Sequence, residues 1–186
     1  MSKTICFTGR RPKDLFGYYN YDAYKEIQDV LSPILETHYT ANGVRNAISG
    51  GAQGFDQLAF WTVHTFSKKH PDMKNTVYIP FYGQDGRWTE NGLFGRNEYR
   101  RMLSLADEVK YVRDMLPNGD RYNIPALLIK RNEAMVDDAD IVIALYPFDM
   151  DWKTMSGGTA NCMRYAHRNH KPIQQIDPFT KQVRWV

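Results

Sequence analysis

The sequence predicts an α/β fold: a parallel sheet with helices on both faces, in a single domain over residues 1–186. Three observations carry that prediction. Short β-branched and apolar runs alternate with longer stretches whose apolar residues recur at helical spacing. Two glycine-rich turns, Ser49-Gly50-Gly51-Ala52-Gln53-Gly54-Phe55-Asp56 and Ser156-Gly157-Gly158-Thr159-Ala160-Asn161, each follow a strand and open a helix. At 186 residues, with 42% hydrophobic and 24% charged side chains, the chain is long enough to bury one substantial core.

Taken in order, Lys3 to Phe7 reads as a buried strand, ended by Thr8-Gly9-Arg10-Arg11-Pro12. Lys13 to Tyr21 is an irregular loop carrying Gly17 and three tyrosines. Asp22 is the expected cap of a helix through Tyr24, Ile27, Val30 and Leu31, with Pro33 kinking or restarting it. Strand Val44 to Ile48 feeds the first glycine-rich turn, and the next helix covers 54–69 with apolar residues at 55, 58, 59, 62/63 and 66. Thr76 to Phe81 is a third strand, and Tyr82 to Gly95 is a loop before a helix over 97–106. A fourth strand, Glu108 to Val112, precedes a turn at Leu116 to Asp120. Asn123 then caps a helix with Pro125 in its first turn, running to about Asp138. Strand Asp140 to Leu145, loop Tyr146 to Met155, a helix over 157–169, strand Pro172 to Ile176 and a short tail complete the chain.

Composition narrows the function classes. A net charge of +3 is too small to demand a nucleic acid partner. Cys6 and Cys162 lie far apart without CxxC spacing, so zinc is not expected and a reduced compartment is. The chain begins almost directly on a strand, which leaves no room for a signal peptide, and no apolar run approaches the ~20 residues of a membrane span. A cytoplasmic protein is the expectation, with no membrane partner. His167 and His170 have no matching carboxylate cluster, so no metal site is expected; no cofactor is expected either. The GxxxxGK[ST] loop of a P-loop NTPase and the GxSxG elbow of a hydrolase are both missing.

Ligands of open α/β sheets bind beyond the carboxyl ends of the strands, where the strand order reverses. The segments Thr8–Lys13, Ser49–Asp56, Phe81–Trp88 and Tyr146–Asn161 all leave strand ends and are expected to converge there. Glycines at 50, 51, 54, 157 and 158 let the backbone approach a ligand, and helix N-termini favour a phosphate. Gly9, Arg10 and Arg11 follow the first strand, and arginine matches phosphate geometry in a fork. Ser49, Thr159 and Asn161 complete the candidate binding set. A phosphate is repelled by a carboxylate, so Asp56 in the first helical turn suits ribose hydroxyls or serves the helix dipole. Arg131 falls within the apolar stripe Ile124, Leu127, Leu128 and Met135; it either pairs with a carboxylate or reaches a pocket. Tyr82, Trp88, Tyr146 and Trp152 are candidates to stack on a base, or to close a lid or a subunit interface. The surplus of loop aromatics predicts a homodimer. Cys162 reads as structural.

These motifs resemble the SLOG superfamily, and within it the YpsA-like branch. The resemblance rests on Thr8-Gly9-Arg10-Arg11-Pro12 with Leu15 and Gly17-Tyr18, on Ser49 to Asp56, and on Asp138-Ala139-Asp140 leading to Ser156 to Asn161. It implies a Rossmann-like domain binding a nucleotide or nucleotide-derived small molecule at its glycine-rich turns. The related Lonely Guy enzymes cleave the N-glycosidic bond of nucleoside monophosphates with an Arg and a Glu. Arg131 matches the Arg and Glu133 is near it, but Asn161 stands where the acid should be, and an amide cannot take that role. The related DprA proteins act on single-stranded DNA, and their resemblance here rests mainly on Ser49 to Asp56. The first expectation is therefore a protein that senses or sequesters a nucleotide or ADP-ribose-like ligand. A nucleoside 5'-monophosphate N-glycosidic hydrolase using Arg131 and Glu133 or Asp56 is the second. A DprA-like single-stranded DNA-binding accessory is the third.

Overall fold

A computed structural model describes residues 2–186. Seven strands form one sheet: β1 (Lys3–Gly9), β2 (Val44–Ser49), β3 (Lys74–Ile79), β4 (Glu108–Tyr111), β5 (Ile141–Leu145), β6 (Ile173–Ile176) and β7 (Val183–Trp185). Their spatial order is β4-β3-β2-β1-β5-β6-β7. All neighbouring pairs run parallel except β6 and β7. Six helices connect them: α1 (Tyr21–Asn42), α2 (Phe55–Ser67), α3 (Arg96–Leu105), α4 (Val112–Met115), α5 (Ile124–Asp137) and α6 (Gly158–Arg168).

Side chains of a strand alternate between the two faces of a sheet. Ile5, Phe7, Ile141, Ile143 and Leu145 accordingly join one core beneath α1 and α2. Their neighbours Cys6, Val142 and Ala144 join a second core with residues of α5 and α6. Tyr99 and Met102 of α3 pack with Phe60 of α2 against Val77 and Ile79. The chain thus winds outward from β1 to β4, then crosses back to β5 through α5. The strand order reverses between β1 and β5, and a crevice is expected there.

Local signals explain most elements, but β3 starts and ends two residues earlier than expected, the short helix α4 begins at Val112 where the fourth strand was expected to end, and α1 and the tail differ as well. Asn20, not Asp22, caps α1; its Oδ1 accepts the Ala23 N–H at 3.2 Å. Pro33 lies inside a continuous 22-residue helix. Its disruption, about 3 kcal/mol in an isolated helix, is offset by one buried stripe of Ile27, Leu31, Ile34, Leu35 and His38 running past it. The tail folds back as β7. Asp177 turns the chain there by accepting the N–H groups of Phe148, Phe179 and Thr180 at 2.6, 2.8 and 2.8 Å. Burial alone pushes the Asp177 carboxyl up, but these bonds outweigh it and hold the group below its ordinary value. Asn123 caps α5 as expected, accepting the Ala126 N–H at 2.9 Å with Pro125 in the first turn.

Candidate functional site

A cavity of about 400 Å³ opens beyond the ends of β1 and β5, at the point where the strand order reverses. The segment from Thr8 to Asp14 forms one wall, and Ser156 to Ala160 at the start of α6 forms another. Ala52 and Asp56 come from the first glycine-rich turn and α2; Leu128, Ile129, Arg131 and Asn132 come from α5, and Tyr146 follows β5.

An ion pair joins α2 to α5 at this cavity. Arg131 Nη1 lies 3.3 Å from Asp56 Oδ2, and the two side chains are 7% and 6% exposed. The guanidinium also donates to the Gly50 carbonyl and, through Nε, to Asn132 Oδ1 at 3.0 Å. Asp56 Oδ2 further accepts the Ala52 N–H at 3.3 Å. Asn132 passes the connection on, donating to the Gly158 carbonyl at 3.1 Å. Burial raises the Asp56 carboxyl above its ordinary value, and the charges of Arg131 and Arg11 pull against that. Arg11 lines the cavity too; burial lowers its guanidinium, with Asp56 acting in the opposite sense.

The two glycine-rich corners differ in what their glycines meet. A Cβ at Gly50 would overlap the Arg131 guanidinium and stand 2.6 Å from Asp56 Oδ2. Gly54 has φ +97°, and a Cβ there would lie 2.8 Å from the Arg10 carbonyl. The protein itself fills that corner. At the α6 corner, a Cβ on Gly157 meets nothing within 4 Å, and on Gly158 only Asn132 Nδ2 at 4.0 Å. The positive φ of Gly157, +117°, accounts for that glycine, whereas no crowding within the chain accounts for Gly158. Among the described residues no side chain caps α6 at Gly157, and the first N–H groups of a helix have no intrahelical partner.

Comparison with known proteins shows the family of the chain. The YpsA model, described as the YspA SLOG family, matches residues 5–181. The chain belongs to that family. It is 34% identical over 154 residues to the Uncharacterized SPbeta prophage-derived protein YoqJ of Bacillus subtilis (strain 168), covering 78% of this chain and 82% of the relative. A UPF0398 protein of Bacillus cereus (strain B4264) is 27% identical over 145 residues, covering 77% of this chain and 74% of the relative. Among solved structures, DNA processing protein A from Helicobacter pylori, studied for its single-stranded DNA binding mode, matches with a TM-score of 0.53. That match has 15% identity and covers 96% of this chain and 70% of the other. It shows a shared fold.

In this YpsA-family chain, Gly9, Arg10, Arg11, Asp56, Arg131, Tyr146, Gly157, Gly158 and Thr159 all line the cavity. Ser49, Gly50, Gly51 and Gly54 of the first corner are not part of that lining, and neither is Asn161, one turn into α6. Glu133 is two residues past Arg131, which turns it toward another side of α5; it pairs with Lys130 at 2.8 Å. The Phe81–Trp88 segment does not reach the cavity. Tyr82 stacks on Tyr111 with ring centroids 3.9 Å apart, and Trp88 packs edge-on to Tyr99 at 5.1 Å. Trp152 is buried against His167. Asn132 escaped the sequence reading, although it adjoins Arg131, because its second partner lies on α6. Leu128 and Ile129 form an apolar part of the lining; Leu128 was concealed within the core stripe, and Ile129 lay outside any pattern singled out in the sequence. Among the described residues no cluster of metal-ligating side chains occurs, and no helix is long and apolar enough to cross a membrane.

Proposed function

We propose that this protein binds a phosphate-bearing nucleotide, or a nucleotide-derived ligand of the ADP-ribose kind, and senses or sequesters it without turning it over. One observation carries the reading: the uncapped start of α6 opens into a cavity beside a glycine, Gly158, that no packing within the chain requires. Backbone N–H groups and the helix dipole at such a terminus favour an anion, and a missing Cβ lets it approach. Arg11 and Lys13 add positive charge, Asp56 offers a carboxylate to ribose hydroxyls, and Leu128 with Ile129 supplies an apolar wall for a base. Among the described residues the only other carboxylate in the lining is Asp14, while Glu133 and Asn161 stand outside it. That arrangement favours binding over glycosidic cleavage.

A thermal-shift comparison of adenosine with its 5'-mono- and diphosphate and ADP-ribose tests the reading. Ligand at a hundredfold over Kd adds about 2.7 kcal/mol of stability, and the phosphorylated compounds are expected to show it while adenosine does not. Equal shifts from adenosine and its phosphates would defeat the anion site. The fold shared with DNA processing protein A supports single-stranded DNA as a second reading. Binding of an oligothymidylate that weakens steeply with salt, with no response to mononucleotides, would favour it.

A further inference from the structure

Two polar atoms of residues lining the cavity, Arg10 Nε and Tyr146 Oη, are buried and make no hydrogen bond. Tyr146 is 1% exposed, and the Arg10 guanidinium stands 5.6 Å from its ring centroid. A buried hydroxyl without a partner destabilises a fold, so its retention calls for a reason. The remaining contacts of Arg10 are weak. Nη1 donates to Met150 Sδ at 3.3 Å, a thioether and a poor acceptor, and Nη2 lies 3.7 Å from an Asp14 carboxylate oxygen. Tyr146 and Met150 both belong to the loop that leads from β5 into the uncapped start of α6.

We propose that Arg10 and Tyr146 form a phosphoryl-binding subsite of the cavity, in which Tyr146 acts through its hydroxyl rather than the face of its ring. The subsite rests on the nucleotide reading given above. Once the Arg10 side chain swings off the Met150 thioether and uncovers the tyrosine beneath it, a phosphate oxygen accepts from Tyr146 Oη and from the Arg10 fork, a charged acceptor in place of the thioether. Charge selects the ligand class. Arg10, Arg11, Lys13 and Arg131 line the cavity against two carboxylates, Asp14 and Asp56. The surplus of two positive charges matches a terminal phosphate monoester, close to a dianion at neutral pH, better than a singly charged diester.

Calorimetry with adenosine 5'-monophosphate on Tyr146→Phe and Arg10→Lys, alongside thermal melts of the ligand-free proteins, tests this. Tyr146→Phe removes only the orphaned oxygen. Its ligand-free melting temperature should equal or exceed wild type while the affinity falls about tenfold or more, the loss of one hydrogen bond to a charged group. Arg10→Lys keeps the charge but loses Nε–H and the fork, and should lose affinity on the same scale. Cyclic 3',5'-adenosine monophosphate, a diester, should bind wild type more weakly than the monoester. Met150→Leu should bind the monoester at least as well as wild type, because it removes only the exchanged acceptor. Unchanged affinity in Tyr146→Phe, or a lower ligand-free melting temperature with intact affinity, overturns the subsite and leaves the nucleotide reading standing. If wild type binds no nucleotide, inorganic phosphate separates the two ideas. A stabilisation by phosphate that Tyr146→Phe lacks keeps the subsite while the nucleotide reading fails; no stabilisation overturns both.

Discussion

Replacing Arg131 with alanine tests the ion pair at the base of the cavity. The substitution strips Asp56 of its buried cation and leaves its Oδ2 with the Ala52 N–H at 3.3 Å. It also takes a donor from the Gly50 carbonyl and from Asn132 Oδ1. Breaking a buried pair from one side costs about 3–5 kcal/mol, because an uncompensated charge stays behind. The loss should depend on pH, and its sign follows from Asp56. Burial already raises that carboxyl above its ordinary value, with the Arg131 charge pulling it back. Without Arg131 it rises further. The folded variant then holds a proton where the unfolded chain has released it, so its stability falls as pH rises through that window. Urea melts of wild type and variant from about pH 8 down to about pH 5 should show the gap narrowing with acid. The double variant Asp56→Ala/Arg131→Ala should recover part of the loss, since neither charge is then stranded. A loss below about 1 kcal/mol, or a gap that ignores pH, would refute the account.

Gly50→Ala should destabilise by several kcal/mol, because its Cβ overlaps the Arg131 guanidinium, and urea melts should show it less than additive with Arg131→Ala. Gly158→Ala should leave the melt within about 0.5 kcal/mol, because its Cβ meets nothing closer than 4.0 Å, yet reduce nucleotide affinity in calorimetry. An unchanged affinity would show that nothing approaches that backbone. Cys6 and Cys162 are both fully buried; burial pushes the Cys162 thiol up to about 12 and the Cys6 thiol well above its usual value. Iodoacetamide at neutral pH should therefore label neither in the folded protein and both in urea, as read by mass spectrometry.

Sequence alone determined what depends on neighbours along the chain. Alternating strand and helix periodicities, the Asn123 cap with Pro125 behind it, and two strand–glycine–helix corners are local features, legible because a few adjacent side chains decide them. Arg131 was legible as well, because a cation inside an apolar helical stripe cannot remain unpartnered. The tertiary structure decided who the partner is. Asp56 lies 75 residues earlier on another helix, and the two meet only because β1, β2 and β5 stand side by side. The same long-range packing separates corners that read alike: Arg131 and Asp56 fill the first, while the second is left open. It also keeps the Phe81–Trp88 loop away from the cavity, since β3 lies two strands from the reversal point. Cap and periodicity are settled over a turn or two of chain, whereas a cavity exists only once distant segments have been brought together.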